Sequence, residues 1–252
     1  MTSAQHFRIG QIVPSSNITM ETEVPAIFRA REQVLPERFT FHSSRMRMKK
    51  VTKEELEKMD DDSLRCALEL SDAKVDVMGY ACLVAIMSMG LGYHRESESR
   101  LGNVSADNDA VCPIVTSAGA LVDGLKILRA KRIALLAPYM KPLTSLVVQY
   151  IENEGIEVVD SISLEIADNL EVGSQDPFAP VEITKQLKTD NVDVVVASAC
   201  VQMPSLPSIQ PIEDRLGIPV ISSSVATAYK MMKALNIKAE VPGYGSLLSG
   251  KY

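Results

Sequence analysis

The strongest constraint on what this chain can fold into is that its second half repeats its first. Arg8-Ile9-Gly10-Gln11-Ile12-Val13-Pro14-Ser15 aligns with Arg132-Ile133-Ala134-Leu135-Leu136-Ala137-Pro138-Tyr139. An apolar run ending in Ala81-Cys82 aligns with one ending in Ala199-Cys200. Pro113-Ile114-Val115-Thr116-Ser117 aligns with Pro219-Val220-Ile221-Ser222-Ser223, and Ala120 and Ala226 then fall at the same place in the next helical stretch. The three matches keep one order and their separation shrinks along the chain, as it does when a second copy has shorter loops. The 252 residues therefore read as two homologous lobes, each able to bury a core.

Within each lobe, short β-branched apolar runs alternate with segments of helical period. Strands are expected at 7–13, 38–43, 75–80, 113–116, 131–137, 157–163, 192–198 and 219–222, and helices at 53–72, 117–129, 141–154, 180–189 and 224–235. Alternation of this kind predicts an α/β fold, two pseudo-symmetric lobes each with a small parallel sheet flanked by helices. The first lobe is expected to span 1–117 with 224–252, and the second 118–223. The charge-free run 77–93 carries three glycines and is shorter than the ~20 residues of a membrane span, so it reads as a buried strand entering a helix. Segments 83–110 and 166–178 read as the two long irregular connections, where function tends to concentrate.

Composition removes several classes of function. The net charge of −6 supplies no diffuse basic field, so nucleic acid is not an expected partner. The N-terminus has no basic region leading into an apolar one, which predicts a cytoplasmic protein. Four scattered cysteines and three distant histidines give neither a zinc spacing nor a disulfide framework. No phosphate loop, dinucleotide fingerprint or G-x-S-x-G is present, and the expectation is no metal and no cofactor.

What remains is thiol chemistry. Duplicated parallel lobes put their strand C-termini at a shared edge, where ligands bind. Cys82 and Cys200 both end strands there, beside a following helix whose N-terminus favours the thiolate. A cysteine taken at random is more often a small buried hydrophobe. That holds for Cys66 and Cys112, whereas the symmetric placement of Cys82 and Cys200 favours two thiols facing one cleft. The same edge carries Ser15, Ser16 and Asn17, the serines reading equally well as helix caps, and Tyr139, which caps poorly and reads as a donor aimed into the cleft. Met46, Met48 and the methionines at 86–89 read as core filling, and the acidic run from Glu54 to Asp62 as a solvated helix face.

Longer stretches carry a family resemblance. RIGQIVPSSNITMETEVPA at 8–26, RFTFHSSRMRMKKV at 38–51, VDVMGYACLVAIMSMGLGYHR at 75–95, RIALLAPYMKPLTSLVVQYI at 132–151, IADNL at 166–170, VVVASACVQM at 194–203 and GSLLSGKY at 245–252 resemble the maleate cis-trans isomerases of the aspartate/glutamate racemase superfamily. The resemblance implies two pseudo-symmetric lobes with four-stranded parallel sheets, conversion of maleate to fumarate, no cofactor, a role in nicotinate breakdown, and a homodimer or higher homo-oligomer. It implies that Cys82 is the nucleophile and Cys200 the partner acid and base. Asn17, Tyr139 and Asn169 are implied to hold the carboxylates, with backbone N–H groups around Leu83, Val84 and Val201. The amino-acid racemases typically have Asn or Thr after each cysteine; Leu83 and Val201 stand there instead, which favours a substrate with an apolar middle over one with an α-ammonium group. An amino-acid or hydantoin racemase and a non-enzymatic dicarboxylate binder are the alternatives to be separated by experiment.

Overall fold

The computed structural model describes residues 5–48 and 53–252. The first half runs β1 (His6–Pro14), α1 (Met20–Arg31), β2 (Arg38–Met46), α2 (Lys53–Asp72), β3 (Val77–Tyr80), α3 (Leu83–Ser88), α4 (Tyr93–Asp107), β4 (Ile114–Thr116) and α5 (Ser117–Ile127). The second runs β5 (Arg132–Ala137), α6 (Lys141–Asn153), β6 (Glu157–Ser163), α7 (Asn169–Gly173), α8 (Ala179–Ile183), β7 (Val194–Ser198), α9 (Ile209–Leu216), β8 (Val220–Ser222) and α10 (Ser223–Ala234). All sheet pairings are parallel, in the orders β2-β1-β3-β4 and β6-β5-β7-β8. The two sheets thus share one topology, the architectural form of the sequence repeat. Every residue of β3 and β7 is buried, whereas the edge strands β2 and β6 alternate or stay half-exposed. This is the burial expected when helices cover both faces of a parallel sheet.

All eight expected strands form, and 38–43 extends to Met46. The helices depart more. Segment 83–110 is not irregular: it holds α3 and the 15-residue α4. The buried face of α4 includes Tyr93, Ser97, Leu101 and Ser105, and small serines there hide the helical period from a hydrophobicity pattern. Segment 166–178 contains the short α7. Two further helices were not expected, α1 and α9, and each contains a proline, Pro25 inside α1 and Pro211 in the first turn of α9, a residue of poor helix propensity. α1 nevertheless buries Met20, Val24, Ile27 and Phe28 along one face. The expected helix 180–189 is shorter, α8 passing into a 3-10 turn at Thr184–Gln186. The acidic run is not wholly solvated either, since Asp60 is buried and accepts hydrogen bonds from Tyr93 Oη at 2.6 Å and Arg100 at 2.8 Å.

This topology places the site. In each sheet the chain leaves the first strand toward one neighbour and later returns to the other, so a crevice opens outside the C-termini of the central pair. The pair is β1 and β3 in the first lobe and β5 and β7 in the second. Asn17 and Cys82 follow the first pair; Tyr139 and Cys200 follow the second. From the second half of the chain, α10 packs back on α1, α5 and β3 of the first half. Met231 of α10 lies so near Gly79 of β3 that a Cβ there would sit 2.7 Å from its terminal methyl.

Candidate active site

The two thiols leave their sheets in the same way. Ala81 N–H donates to Ile12 C=O at 2.9 Å, and Ala199 N–H to Leu136 C=O at 2.8 Å, so each central strand is held by its neighbour one residue before the cysteine. Both cysteines then line one small, partly open cavity, shared with Asn17, Met48, Leu83, Val84, Tyr139, Asn169, Val201 and Gln202 together with Pro14. All eight residues singled out from the sequence as catalytic or binding lie on this cavity. Met48 is buried but is part of the cavity wall, not core filling alone. Cys66 and Cys112 are buried elsewhere.

The environments of the two thiols differ. Cys82 has φ of 111°, a conformation rarely taken by a residue with a side chain, and is half-buried at the start of α3. Burial, helped by the nearby Cys200, pushes its thiol up to about 12 against one opposing contact from the Ala85 N–H. Burial also raises the Cys200 thiol, which is opposed by more donors: the Tyr139 hydroxyl and the backbone N–H groups of Gln202 and Met203. The resting site therefore holds two neutral thiols. Burial likewise holds the Tyr139 phenol well above its ordinary range, so it stays a neutral donor.

The loops around the thiols are tied across the lobes. Neither Ser15 nor Ser16 caps α1. The N-cap position is Thr19, whose side chain makes no cap bond; Asn17 Oδ1 instead braces the entry to α1 by accepting from Thr19 N and Met20 N, both at 2.9 Å, which leaves the amide NH2 as the end available to the cavity. Ser15 Oγ instead bonds the backbone of Met48, and Ser16 Oγ accepts from Asn169 Nδ2 at 2.8 Å. Arg45 supports this loop from behind, donating to Asn17 C=O at 2.6 Å and Ser15 C=O at 3.0 Å. Asp168 caps α7 and so fixes the position of Asn169, accepting from Leu170 N and Glu171 N. Glu23 of α1, also buried, accepts from Ser205 N at 2.5 Å and Leu206 N at 2.7 Å, anchoring the chain that follows Cys200. Glu23 and Gln202 were not singled out in the sequence, because nothing in periodicity distinguishes a buried polar residue that serves backbone from one on a solvated face.

Chemically, the cavity offers two neutral thiols, one phenol, two carboxamides and the leading N–H groups of α3, which have no intrahelical acceptor. No Lys, Arg or His is among its described lining residues. Such a site suits a small anion held by dipoles while a thiol reacts.

Comparison with known proteins agrees with this class. The family model for arylmalonate decarboxylase (Amdase) matches residues 9–248. A maleate isomerase of Geobacillus stearothermophilus is 63% identical over 250 residues, covering 99% of this chain and all of that one. Among solved structures, the maleate isomerase of Pseudomonas putida S16, as a cysteine-to-alanine variant with maleate, superposes with a TM-score of 0.97 at 64% identity, covering 98% of this chain and 99% of that one. A cysteine-to-serine variant of Nocardia farcinica maleate cis-trans isomerase, carrying a covalently bound succinylcysteine intermediate, gives 0.94 at 43% identity, covering 98% and 100%. The fold and paired thiols define a two-lobed isomerase of the aspartate/glutamate racemase-like superfamily. Within it, the chain belongs to the maleate isomerase family.

Proposed function

We propose that the chain converts maleate to fumarate without a cofactor, through a covalent adduct on Cys82. The observation that carries this reading is the meeting of Cys82 and Cys200 in one cavity otherwise lined by apolar groups and uncharged donors. The succinylcysteine seen in the Nocardia farcinica relative supports the covalent step. Maleate holds two carboxylates cis across a double bond that cannot turn. Attack of Cys82 Sγ on one alkene carbon forms a C–S bond and sends the π electrons toward the far carboxylate as an enediolate. Cys200 then protonates the other alkene carbon, and the proton lost from Cys82 restores Cys200. The adduct is the net addition of S–H across the double bond, a thioether of succinate. Its central C–C bond is single and rotates. Return of the proton and loss of the thiol in the reverse sense release the trans diacid, so one blocked rotation becomes three accessible steps.

Asn17, Tyr139 and Asn169, with backbone N–H groups at Leu83, Val84 and Val201, hold the carboxylates and take up the enediolate charge. Each preorganised donor is worth about 3 kcal/mol when charge develops against it. Neutral donors serve this purpose without supplying a competing acid. Leu83 and Val201 favour the apolar centre of maleate over an α-ammonium group. Residues 1–117 with 224–252 form the lobe bearing Cys82 and 118–223 the lobe bearing Cys200, a division supported by the packing of α10 on α1 and β3. A place in nicotinate breakdown and a homo-oligomeric state belong to the same reading and rest on the family resemblance.

Proton NMR of the purified protein with maleate in excess EDTA tests the proposal. Fumarate accumulates, iodoacetamide stops it, and saturating maleate slows that inactivation. Loss of turnover on chelation with rescue by divalent metal, or an unchanged rate after both thiols are alkylated, overturns it.

A further inference from the structure

We propose that Gln202 is a positioning residue that sets the two carboxylate-binding asparagines, Asn17 and Asn169, at fixed places relative to Cys200. The proposal rests on the dicarboxylate reading above. Gln202 lines the cavity, yet its side chain has nothing left to offer a substrate. Its Oε1 accepts from Ile18 N at 2.8 Å, and its Nε2 donates to Ser16 C=O at 3.0 Å and Asn169 C=O at 2.6 Å. Its own C=O accepts from Thr19 Oγ1 at 2.6 Å, and its N–H reaches the Cys200 sulfur. Both side-chain N–H hydrogens are thereby used, and the residue is only 3% exposed.

These partners are not a random set. Ser16 and Ile18 flank Asn17, so the backbone carrying one carboxamide is gripped on both sides. The Asn169 carbonyl belongs to the residue that carries the other carboxamide. One amide, two residues beyond Cys200, thus joins the β1–α1 loop of the first lobe to α7 of the second. Gly173 gives the contact a second signature, because α7 sits directly on this amide. A Cβ at Gly173 would lie 2.6 Å from Gln202 Nε2 and 2.7 Å from Ile18 Cγ1. A methyl group at this position would have to displace the Gln202 amide.

The test pairs Gln202→Met, which keeps the volume and removes the hydrogen bonds, with Asn169→Ala in a double-mutant cycle. Two readouts are taken: kcat/KM for maleate, and the Kd of succinate by calorimetry. Succinate has no double bond to attack, so it reports positioning whether or not the protein turns maleate over, and turnover by the unaltered chain judges the isomerase reading separately. Gln202→Met should weaken both by roughly 10- to 100-fold, with that factor shrinking at least about fivefold in the Asn169→Ala background. Equal losses in both backgrounds, or unchanged succinate affinity, overturn the proposal. If Gln202→Met does not fold, Gly173→Ala presses on the same contact from α7 and should show the same coupling to Asn169; additivity there refutes the proposal equally.

Discussion

Cys82 and Cys200 are equivalent in placement and unlike in environment. Each follows an alanine whose N–H is fixed to the neighbouring central strand, but Cys82 is half-buried with φ of 111° and one backbone donor, while Cys200 is buried against Tyr139 and two backbone N–H groups. The repeat places the pair at equivalent strand ends, and the differing segments that follow give the two thiols different surroundings. The more open thiol suits attack, and the sulfur with more hydrogen-bond donors suits repeated gain and loss of a proton.

The φ of Cys82 has an energetic consequence. A residue with a Cβ held at positive φ stores about 1–3 kcal/mol that glycine does not. Cys82→Gly should therefore melt higher than Cys82→Ala, by more than the preference for glycine over alanine at any helix N-cap, and both should be inactive. Thermal unfolding of the two variants checks this, and Cys82→Ala melting higher would mean the backbone relaxes.

On the proposed reading Asn17 has two roles that substitution can separate. Asn17→Asp keeps the oxygen that accepts from Thr19 N and Met20 N at the entry to α1 but replaces the NH2 donor by negative charge facing an anion. It should hold stability to within about 0.5 kcal/mol while kcat/KM falls by more than about 100-fold. Asn17→Ala should lose the hydrogen bonds to Thr19 N and Met20 N as well, at a further cost of about 1 kcal/mol. Urea unfolding alongside kinetics distinguishes them.

Tyr139→Phe removes the hydroxyl that donates to Cys200 and faces the cavity, while keeping the buried ring. A fall in kcat/KM of roughly 10- to 1,000-fold is expected, the range for losing one positioned donor. Wild-type kinetics in this variant would remove the phenol from the site.

The raised Cys82 thiol predicts a pH profile. A thiol pushed up to about 12 in the folded chain reacts with iodoacetamide slowly at neutral pH, and the rate should keep climbing about tenfold per unit well beyond pH 9. A plateau near 8.5 would mark an ordinary thiol. The folded state binds this proton more tightly than the unfolded one, so the associated stability is complete below the unfolded value and is lost as pH rises from there toward about 12.

The lobes, the strands and both thiols were legible in the sequence because parallel buried strands write continuous apolar runs and because duplication marks equivalent ends. The helix α4 was not, since Ser97 and Ser105 share its buried face with Leu101. Nor were α1 and α9, masked by Pro25 and Pro211. Asn17 was placed at the sheet edge by the repeat, but its carboxylate-binding role, and Asn169 altogether, were reached through family resemblance alone. Their carboxamides gain meaning only when the β1–α1 loop meets α7 across the lobes, a contact between residues far apart in the chain. Gln202 and Glu23 stayed hidden for the same reason: each acts on backbone in another element.

The central claim is that Cys82 carries the substrate, and mass spectrometry of trapped protein tests it most directly. Cys200→Ala, lacking the thiol assigned to protonation and release, is mixed with maleate, quenched in acid, digested and sequenced by fragmentation. The account predicts a mass gain equal to one maleic acid on the peptide containing Cys82, and none on the same peptide in Cys82→Ser. An adduct found on Cys200 in the unaltered chain with Cys82 free, or full turnover by Cys82→Ser, would contradict it.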